Sequence, residues 1–437
     1  MRPHDAEVRE TRNVNDSLRL GVQADAAAAA LEQKVIAWRR DFHQHPELSN
    51  REIRTAGAVA GHLRALGLAV ETGVAHTGVV GLLDCGKPGP VIALRADMDA
   101  LPVTEEVDVA FASKARTIFN GQDVGVMHAC GHDCHVAMLM GVAELLAGMK
   151  TQLSGRIKFI FQPAEEGPPA GEEGGAALMI KQGVLENPEP DVIFGLHVFA
   201  GIEAGTIAYR PGPAMASSDR IRITVNGRQT HGALPWRGVD PIVISSQIVL
   251  GLQTIVSRQV DVTLEPAVVS IGAIKGGVRD NIIPDAVEML GTVRTFNEEM
   301  RADIHQRIRN TVELIAQSAG ASARVHFDNA YPVTVNDIPL TERMVPTLER
   351  VAGKDKVFVG QKITGYEDFS YFQQKIPGFF YFIGITPRRI DRSGVDLKHA
   401  APNHSPRFFV DESALLLGVR SLTHLTLDYM ASPPNAG

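Results

Sequence analysis

The chain has 437 residues, with 43 Lys+Arg against 50 Asp+Glu and a formal net charge of −7. That length fits two or three domains of about 150 residues each, and the acidic balance argues against a nucleic-acid partner, which would show as a basic domain. Hydrophobic residues at 44% and charged residues at 21% supply a large core and exclude disorder over most of the length.

Met1–Asp25 is charged and broken up, without the apolar stretch of a secretory signal, and is expected to be a flexible N-terminal extension. The first helix follows the Ala26–Ala30 run and carries Leu31, Val35, Trp38 and Phe42 at helical spacing, stopping at His45-Pro46. Ser49-x-x-Glu52 fits a capping box opening a second helix, with Thr55, Val59, Leu63 and Leu66 on one side and Gly67 at its end. Val79–Leu83 and Val91–Ala96 read as buried strands, the second running into Asp97-Met98-Asp99. A helix is expected from His132 to Met149, a strand over Arg156–Gln162, a helix over Gly174–Gln182 and a strand over Asp191–Val198. This alternation predicts an α/β fold: a mixed-sheet domain with helices on both faces.

From 218 to 331 the rhythm changes. The order is strand (Ile221, Ile223, Val225), helix from Asp240-Pro241, strands Ala267–Lys275 and Ala286–Thr295, helix from Glu298, strand (Ala323, Val325, Phe327). That βαββαβ pattern predicts an inserted ferredoxin-like α+β domain over 218–331, splitting a catalytic domain into 26–217 and 332–430. Thr341–Val351, Gly378–Ile385 and Asp411–Tyr429 then read as helix, strand and helix, with a loose tail after Met430. No run of about 18 apolar residues stands out, so no membrane partner is expected. The three cysteines (Cys85, Cys130, Cys134) are too few and too odd in number for a disulfide scaffold, which predicts a reducing, cytoplasmic setting.

The densest chemistry is Met127–His135, with Cys130, His132, Asp133, Cys134 and His135. Cys with His suits zinc, and His with carboxylate suits manganese or cobalt. A single Cys or His would be an ordinary core or capping residue; five in nine positions, just before a helix, point to a metal pocket. Glu165-Glu166 follow a strand, where open α/β sheets place ligands. One of them can bind metal while the other works as a general base, although an acidic surface loop would look the same in isolation. His197 and Asp97-x-Asp99 also end strands, and Asn403-His404 precedes the last helix. Together these residues suit metal-assisted hydrolysis by a pair of cations. There is no G-x-S-x-G elbow for a serine hydrolase and no Gly-rich phosphate loop.

Asp41-Phe42-His43-Gln44-His45-Pro46-Glu47-Leu48, Arg95–Pro102, Met127–His135, Phe161–Gly167, Leu196-His197-Val198 and Thr230-His231-Gly232-Ala233 give the chain its resemblance to the peptidase M20 family, in its amidohydrolase subgroup. Asp280–Pro284, Gly291–Arg294, Gly365–Phe369 and Asn403–Pro406 continue the series in the family's order. The resemblance implies that Cys130, His132, Glu166, His197 and His404 hold two divalent metal ions (manganese, zinc, cobalt or nickel). Glu165 would be the general base, His231 of the inserted domain the oxyanion donor, and Asn281 and Arg294 the binders of the substrate carboxylate. Where most branches have His-x-Asp, this chain has Asp97-x-Asp99, so both are expected to orient ligands, with Asp99 grouped among the catalytic residues. The implied substrate is an N-acyl amino acid, hippurate-like or N-acetylated, and the inserted domain would serve as lid and as the interface of a homodimer or tetramer. A metallo-dipeptidase or aminopeptidase of the same superfamily, and a non-catalytic metal-binding homologue, are the alternatives.

Overall fold

The computed structural model describes residues 3–387 and 401–432, and the chain divides into two compact units. The first comprises Met1–Gly212, Asn336–Gly360 and Tyr371–Gly437; the second comprises Pro213–Val335 and Gln361–Ser370.

The first unit is built on a mixed sheet that has eight strands among the described residues. Its first strands are β1 (Ala69–Val74), β2 (Gly78–Asp84) and β3 (Val91–Asp97). The spatial order is β1, β2, Arg156–Gln162, β3, Val192–Glu203, Gly378–Thr386, Ile207–Tyr209, Val357–Val359. β3 runs parallel to both Arg156–Gln162 and Val192–Glu203, and the last of these runs parallel to Gly378–Thr386. These strands are buried nearly throughout, as parallel strands covered by other layers must be. Within Arg156–Gln162 even Lys158 is buried, its ammonium donating to the carbonyls of Val184, Glu186 and Pro188 at 2.7–2.9 Å. The parallel arrangement brings the carboxyl ends of β3 and Arg156–Gln162 beside the middle of Val192–Glu203, which gathers Asp97–Asp99, Pro163–Glu166 and His197; His197, expected to end its strand, lies inside one that runs on to Glu203.

Helix α3 (His132–Gly148) is apolar almost all round, so it must be enclosed. Helix α1 (Pro3–Gln44), helix α2 (Ile53–Ala65), β3 and the Ser413–Ala431 helix surround it. Residues 1–25 are expected from the sequence to be a flexible extension, and the described part of that stretch, from Pro3, belongs to α1. The α1 backbone is helical from Pro3, and Ala24 is buried. Asp25 accepts hydrogen bonds from Arg420 (2.7 Å) and His424 (3.0 Å). Gly21, Ala24 and Ala28 lie on the buried side of α1, and Gly21 lets it lie close against the final helix: a Cβ there would meet His424 at 2.9 Å. The tail beyond Ser432 lies outside the described residues.

The capping box expected at Ser49-x-x-Glu52 does not form. α2 begins at Ile53, and its first amides, Arg54 and Thr55, donate instead to the two oxygens of Glu47, each at 2.9 Å.

The second unit has a four-stranded antiparallel sheet in the order Ala267–Gly276, Ala286–Thr295, Ser218–Asn226, Ser322–Tyr331. Numbered along the chain from Ser218, the strands lie in the order 2-3-1-4. Helices Pro241–Thr254 and Glu298–Ser318 pack on it and on each other. Ile221, Ile223 and Val225 meet Ile244, Ile248, Leu252, Ile304, Ile308 and Val312 in one core. Asp240 caps the first helix by accepting from the amides of Ile242 and Val243, with Pro241 in its first turn, and Asn297 caps the second through the Met300 amide. The stretch Pro241–Gln259 passes for a membrane-crossing helix by length and mean hydropathy, although Ser245, Ser246, Gln247, Gln253 and Arg258 interrupt it, so it is not a continuous apolar run. Its inward residues belong to this core, which accounts for part of that apolarity.

Candidate metal centre

The site is assembled where β3 and Arg156–Gln162 end, beside the middle of Val192–Glu203, and where α3 begins. Gly131 is the N-cap of α3 at φ 89°, and a Cβ there would meet Val198 Cγ2 at 2.3 Å. Glycine is therefore required between Cys130 and His132, and its turn sends both side chains into one pocket. Two further pocket residues sit on constrained backbone: Ala164, just before Glu165, has φ 53° and His404 has φ 70°. Left-handed backbone at a non-glycine residue costs about 1–3 kcal/mol and persists where surroundings enforce it.

The ligating atoms converge. Cys130 Sγ lies 3.4 Å from His197 Nε2 and 3.3 Å from His404 Nε2, and His404 Nε2 is 3.0 Å from Glu166 Oε1. Cys130, His132 and His197 form one triplet of potential ligand atoms within 4.8 Å of each other. Cys130, Glu166 and His404 form a second, and His132, Glu165 and Glu166 a third. All five ligands implied by the family resemblance, and Glu165 with them, are thus brought together in the first unit.

The supporting hydrogen bonds aim the lone pairs inward. His197 Nδ1 donates to the carbonyl of Val198 at 2.7 Å, so its Nε2 faces Cys130 unprotonated. His132 Nδ1 donates to Asp99 Oδ1 at 3.2 Å, and its Nε2 is buried with no hydrogen-bond partner. Asn403 ties the loops together: its amide NH2 donates to the carbonyls of Cys130 and Val198, each at 3.2 Å, and its oxygen accepts the Ala200 amide.

His135, in the same motif as the ligands, has a different task. Its Nδ1 donates to Asp97 Oδ1 at 2.5 Å and its Nε2 accepts the Val198 amide at 2.9 Å, so both nitrogens are spent. Asp97 is also paired with the fully buried Arg95 at 2.6 Å. Asp99 takes four donors: His132 Nδ1, the Ser49 hydroxyl (2.7 Å) and the amides of Glu165 and Glu166 (each 3.1 Å). It therefore works by holding other groups. Asp133 faces the other way, onto Arg39 (2.9 Å) and His43 (2.8 Å), where it anchors the start of α3 to α1.

The electrostatics describe a site short of positive charge. Burial pushes the Cys130 thiol well above its usual range, and Glu166, Glu165 and Asp97 push it further. Burial opposes a charge on His132, but Asp97 and Asp99 outweigh it and raise that imidazole to about 10. Burial, with His135 next to it, drives His197 well below its usual range. Burial would also neutralise Asp97, yet Arg95, His132 and His135 hold it well below the ordinary carboxylate range. A cation among these groups would relieve the repulsion, take the thiol as thiolate and replace the proton on His132.

The second unit carries the other three site candidates. His231 pairs with Ile282 across a two-stranded ribbon, next to Asn281, whose carbonyl accepts the Gly232 amide at 2.8 Å. His231 Nδ1 accepts the Ala233 amide at 3.0 Å, which leaves the ring proton on Nε2 of an exposed side chain. The Arg294 guanidinium lies 5.1 Å from the Tyr366 ring centroid, and its Nη1 is buried without a hydrogen-bond partner. Ser49, Glu52, Arg95 and Asn403 were not singled out from the sequence as site residues. Arg95 and Asn403 lie inside quoted motifs, and that is the signal that could have found them.

Residues 93–428 match peptidase family M20/M25/M40. The chain is 43% identical over 399 residues to thermostable carboxypeptidase 2 of Saccharolobus solfataricus, covering 91% of this chain and 95% of the relative. It is 43% identical over 302 residues to an N-acyl-L-amino acid amidohydrolase of Geobacillus stearothermophilus, covering 69% and 78%. Among solved structures, the Bacillus subtilis YXEP protein, described as a dinuclear metal binding peptidase from the M20 family, superposes with TM-score 0.75 at 34% identity over 92% of this chain and 99% of that one.

Proposed function

The chain belongs to peptidase family M20/M25/M40, and from that premise we propose that it is a metal-dependent amidohydrolase cleaving N-acyl amino acids to a carboxylic acid and a free amino acid. The observation that carries the proposal is the pair of ligand triplets sharing Cys130, with Glu165 buried beside them. The donor set fits two divalent ions, held by Cys130, His132, Glu166, His197 and His404. The orphaned His132 Nε2 is the atom such an ion would satisfy. Manganese, zinc, cobalt and nickel all suit this mixture of sulfur, nitrogen and oxygen. When bound, such ions polarise the scissile carbonyl and make water a stronger acid.

The protein's own groups do the rest. Glu165 accepts the proton of the attacking water and passes it to the leaving amine. His231 donates from Nε2 to the carbonyl oxygen as negative charge develops there. Asn281 and Arg294 take the substrate carboxylate, for which the partnerless Nη1 of Arg294 is a ready donor. The second unit's strand order supports a ferredoxin-like reading, and we assign it lid and dimerisation roles. Ile242 (45% exposed), Val243 (54%) and Leu250 (71%) on one of its helices support an apolar contact between copies in a homodimer or tetramer. The three cysteines, all free and buried, support a cytoplasmic setting.

A carboxypeptidase reading is favoured by the Saccharolobus solfataricus relative. Both substrate classes end in a carboxylate, so Arg294 serves either. Metal-stripped protein reloaded with each of the four metals and offered N-acetyl and N-benzoyl amino acids, free dipeptides and longer peptides separates them. We expect turnover of the acylated substrates; turnover confined to unacylated peptides would move the assignment to a peptidase, and none at all with two ions bound would favour a non-catalytic homologue. His231→Ala should lower kcat by about 10²–10³, the usual loss for one oxyanion donor.

A further inference from the structure

We infer that Glu52 is a positioning residue for the reaction: by holding the backbone amide of Ala164 it fixes the turn that aims the Glu165 carboxylate. The inference rests on the reading of Glu165 as the general base.

Ser49-x-x-Glu52 has the spacing of a helix cap, and neither residue is used as one. Glu47 supplies both oxygens to the first amides of α2, and Glu52 makes no side-chain cap. Both residues of the apparent capping box are instead directed into the site. Ser49 Oγ donates to Asp99 Oδ2 at 2.7 Å. Glu52 is fully buried; its Oε1 accepts the Ala164 amide at 2.9 Å and its Oε2 accepts the Thr77 hydroxyl at 2.5 Å.

Three successive amides are thereby held by two buried carboxylates: Ala164 by Glu52, then Glu165 and Glu166 by the two oxygens of Asp99. Ala164 is the residue at φ 53°, a backbone state that alanine keeps only under constraint. It directly precedes the proposed base and stands two before a proposed metal ligand. A buried carboxylate is a costly way to satisfy one amide, since burial and the nearby Asp99 push Glu52 up to about 7. A neutral side chain would serve packing more cheaply. What a rigid two-oxygen acceptor adds is direction: one oxygen on the Ala164 amide, the other braced by Thr77, which itself adjoins the start of β2.

The test compares Glu52→Ala, Glu52→Gln and Thr77→Val in the metal-loaded full chain, with Glu165→Ala alongside. Glu52→Ala should lower kcat by about 10- to 100-fold, the scale of a small misplacement of a reacting group. KM and the two bound ions per chain should stay unchanged. Amide hydrogen exchange of the Arg156–Gly167 region should accelerate, in metal-free protein as well. Glu52→Gln keeps an oxygen for Ala164 and should restore both kcat and protection. Thr77→Val should give a smaller kcat loss at constant KM, and it decides the matter if Glu52→Ala does not fold. Wild-type kcat and protection in Glu52→Ala, or in Thr77→Val when Glu52→Ala is unfolded, would overturn the inference. So would a joint loss of metal and activity that Gln does not rescue. If Glu165→Ala itself turns over normally, the base assignment fails whatever Glu52 does; if Glu165→Ala is inactive while Glu52→Ala is fully active, only the role of Glu52 fails.

Discussion

In the second unit, Ile221, Ile223 and Val225 meet Ile244, Ile248, Ile304 and Ile308, and the buried carboxylate Asp219 is paired with Arg301 and His305. At the strand ends of the first unit, Arg95, Asp97, Asp99, His132, His135 and Glu52 are all buried together. The second unit follows the ordinary economy of a core, in which apolar area leaves water and a lone buried charge is neutralised by its neighbours. The first unit concentrates charge where burial is most costly and leaves His132 Nε2 without a hydrogen bond. Such a pattern is unfavourable for stability alone and is the mark of a site built for a ligand.

Four substitutions can break or sharpen that contrast. Glu165→Ala should lower kcat by about 10²–10⁴, the range for a lost general base, with two ions still bound per chain. Steady-state kinetics with a metal assay decides this, and normal turnover would remove Glu165 from the mechanism. Ile304→Ala, in the apolar core, should cost about 2–5 kcal/mol of stability by denaturant unfolding while kcat and metal content hold. If it also emptied the metal site, the two regions would not be separable in this way. Asp97→Asn weakens the support under His132 and His135, and metal affinity by chelator competition should fall about 10- to 100-fold.

Asp219→Asn gives the smallest effect and a pH signature. Burial alone would raise the pKa of Asp219; bonds from His305 and Arg301 outweigh it and hold the carboxylate below its usual value. A group with a lowered folded pKa stabilises above its unfolded pKa and loses that contribution as pH falls through the folded one. The Tm difference between wild type and Asp219→Asn should therefore shrink as pH falls below about 4. A difference that goes on growing below that pH would contradict the pairing.

Much of this was legible in the sequence because its signals are local. Period-two and helical spacings mark the strands and helices, and Met127–His135 packs its ligands within nine positions. What the sequence hid depends on distant partners. Ser49 and Glu52 look like a cap because the residue that displaces them, Glu47, is recognisable only once the chain turns at His45-Pro46. His135 resembles a ligand until Asp97 and the Val198 amide occupy both nitrogens. Lys158 sits in a strand like any solvated lysine, yet three carbonyls from a later loop draw its ammonium inside. Residues 361–370, expected within the catalytic domain, group with the second unit, where the Ile363 and Ala216 amides link them to 214–216.

The central claim is that Cys130, His132, Glu166, His197 and His404 hold a pair of ions next to Glu165. Anomalous diffraction from crystals of zinc- or manganese-loaded protein, collected on both sides of the metal edge, measures this directly. The account predicts two peaks per chain bounded by these five side chains, with sulfur at about 2.3 Å if the ion is zinc. A single ion, or ions seated away from Cys130, would contradict it.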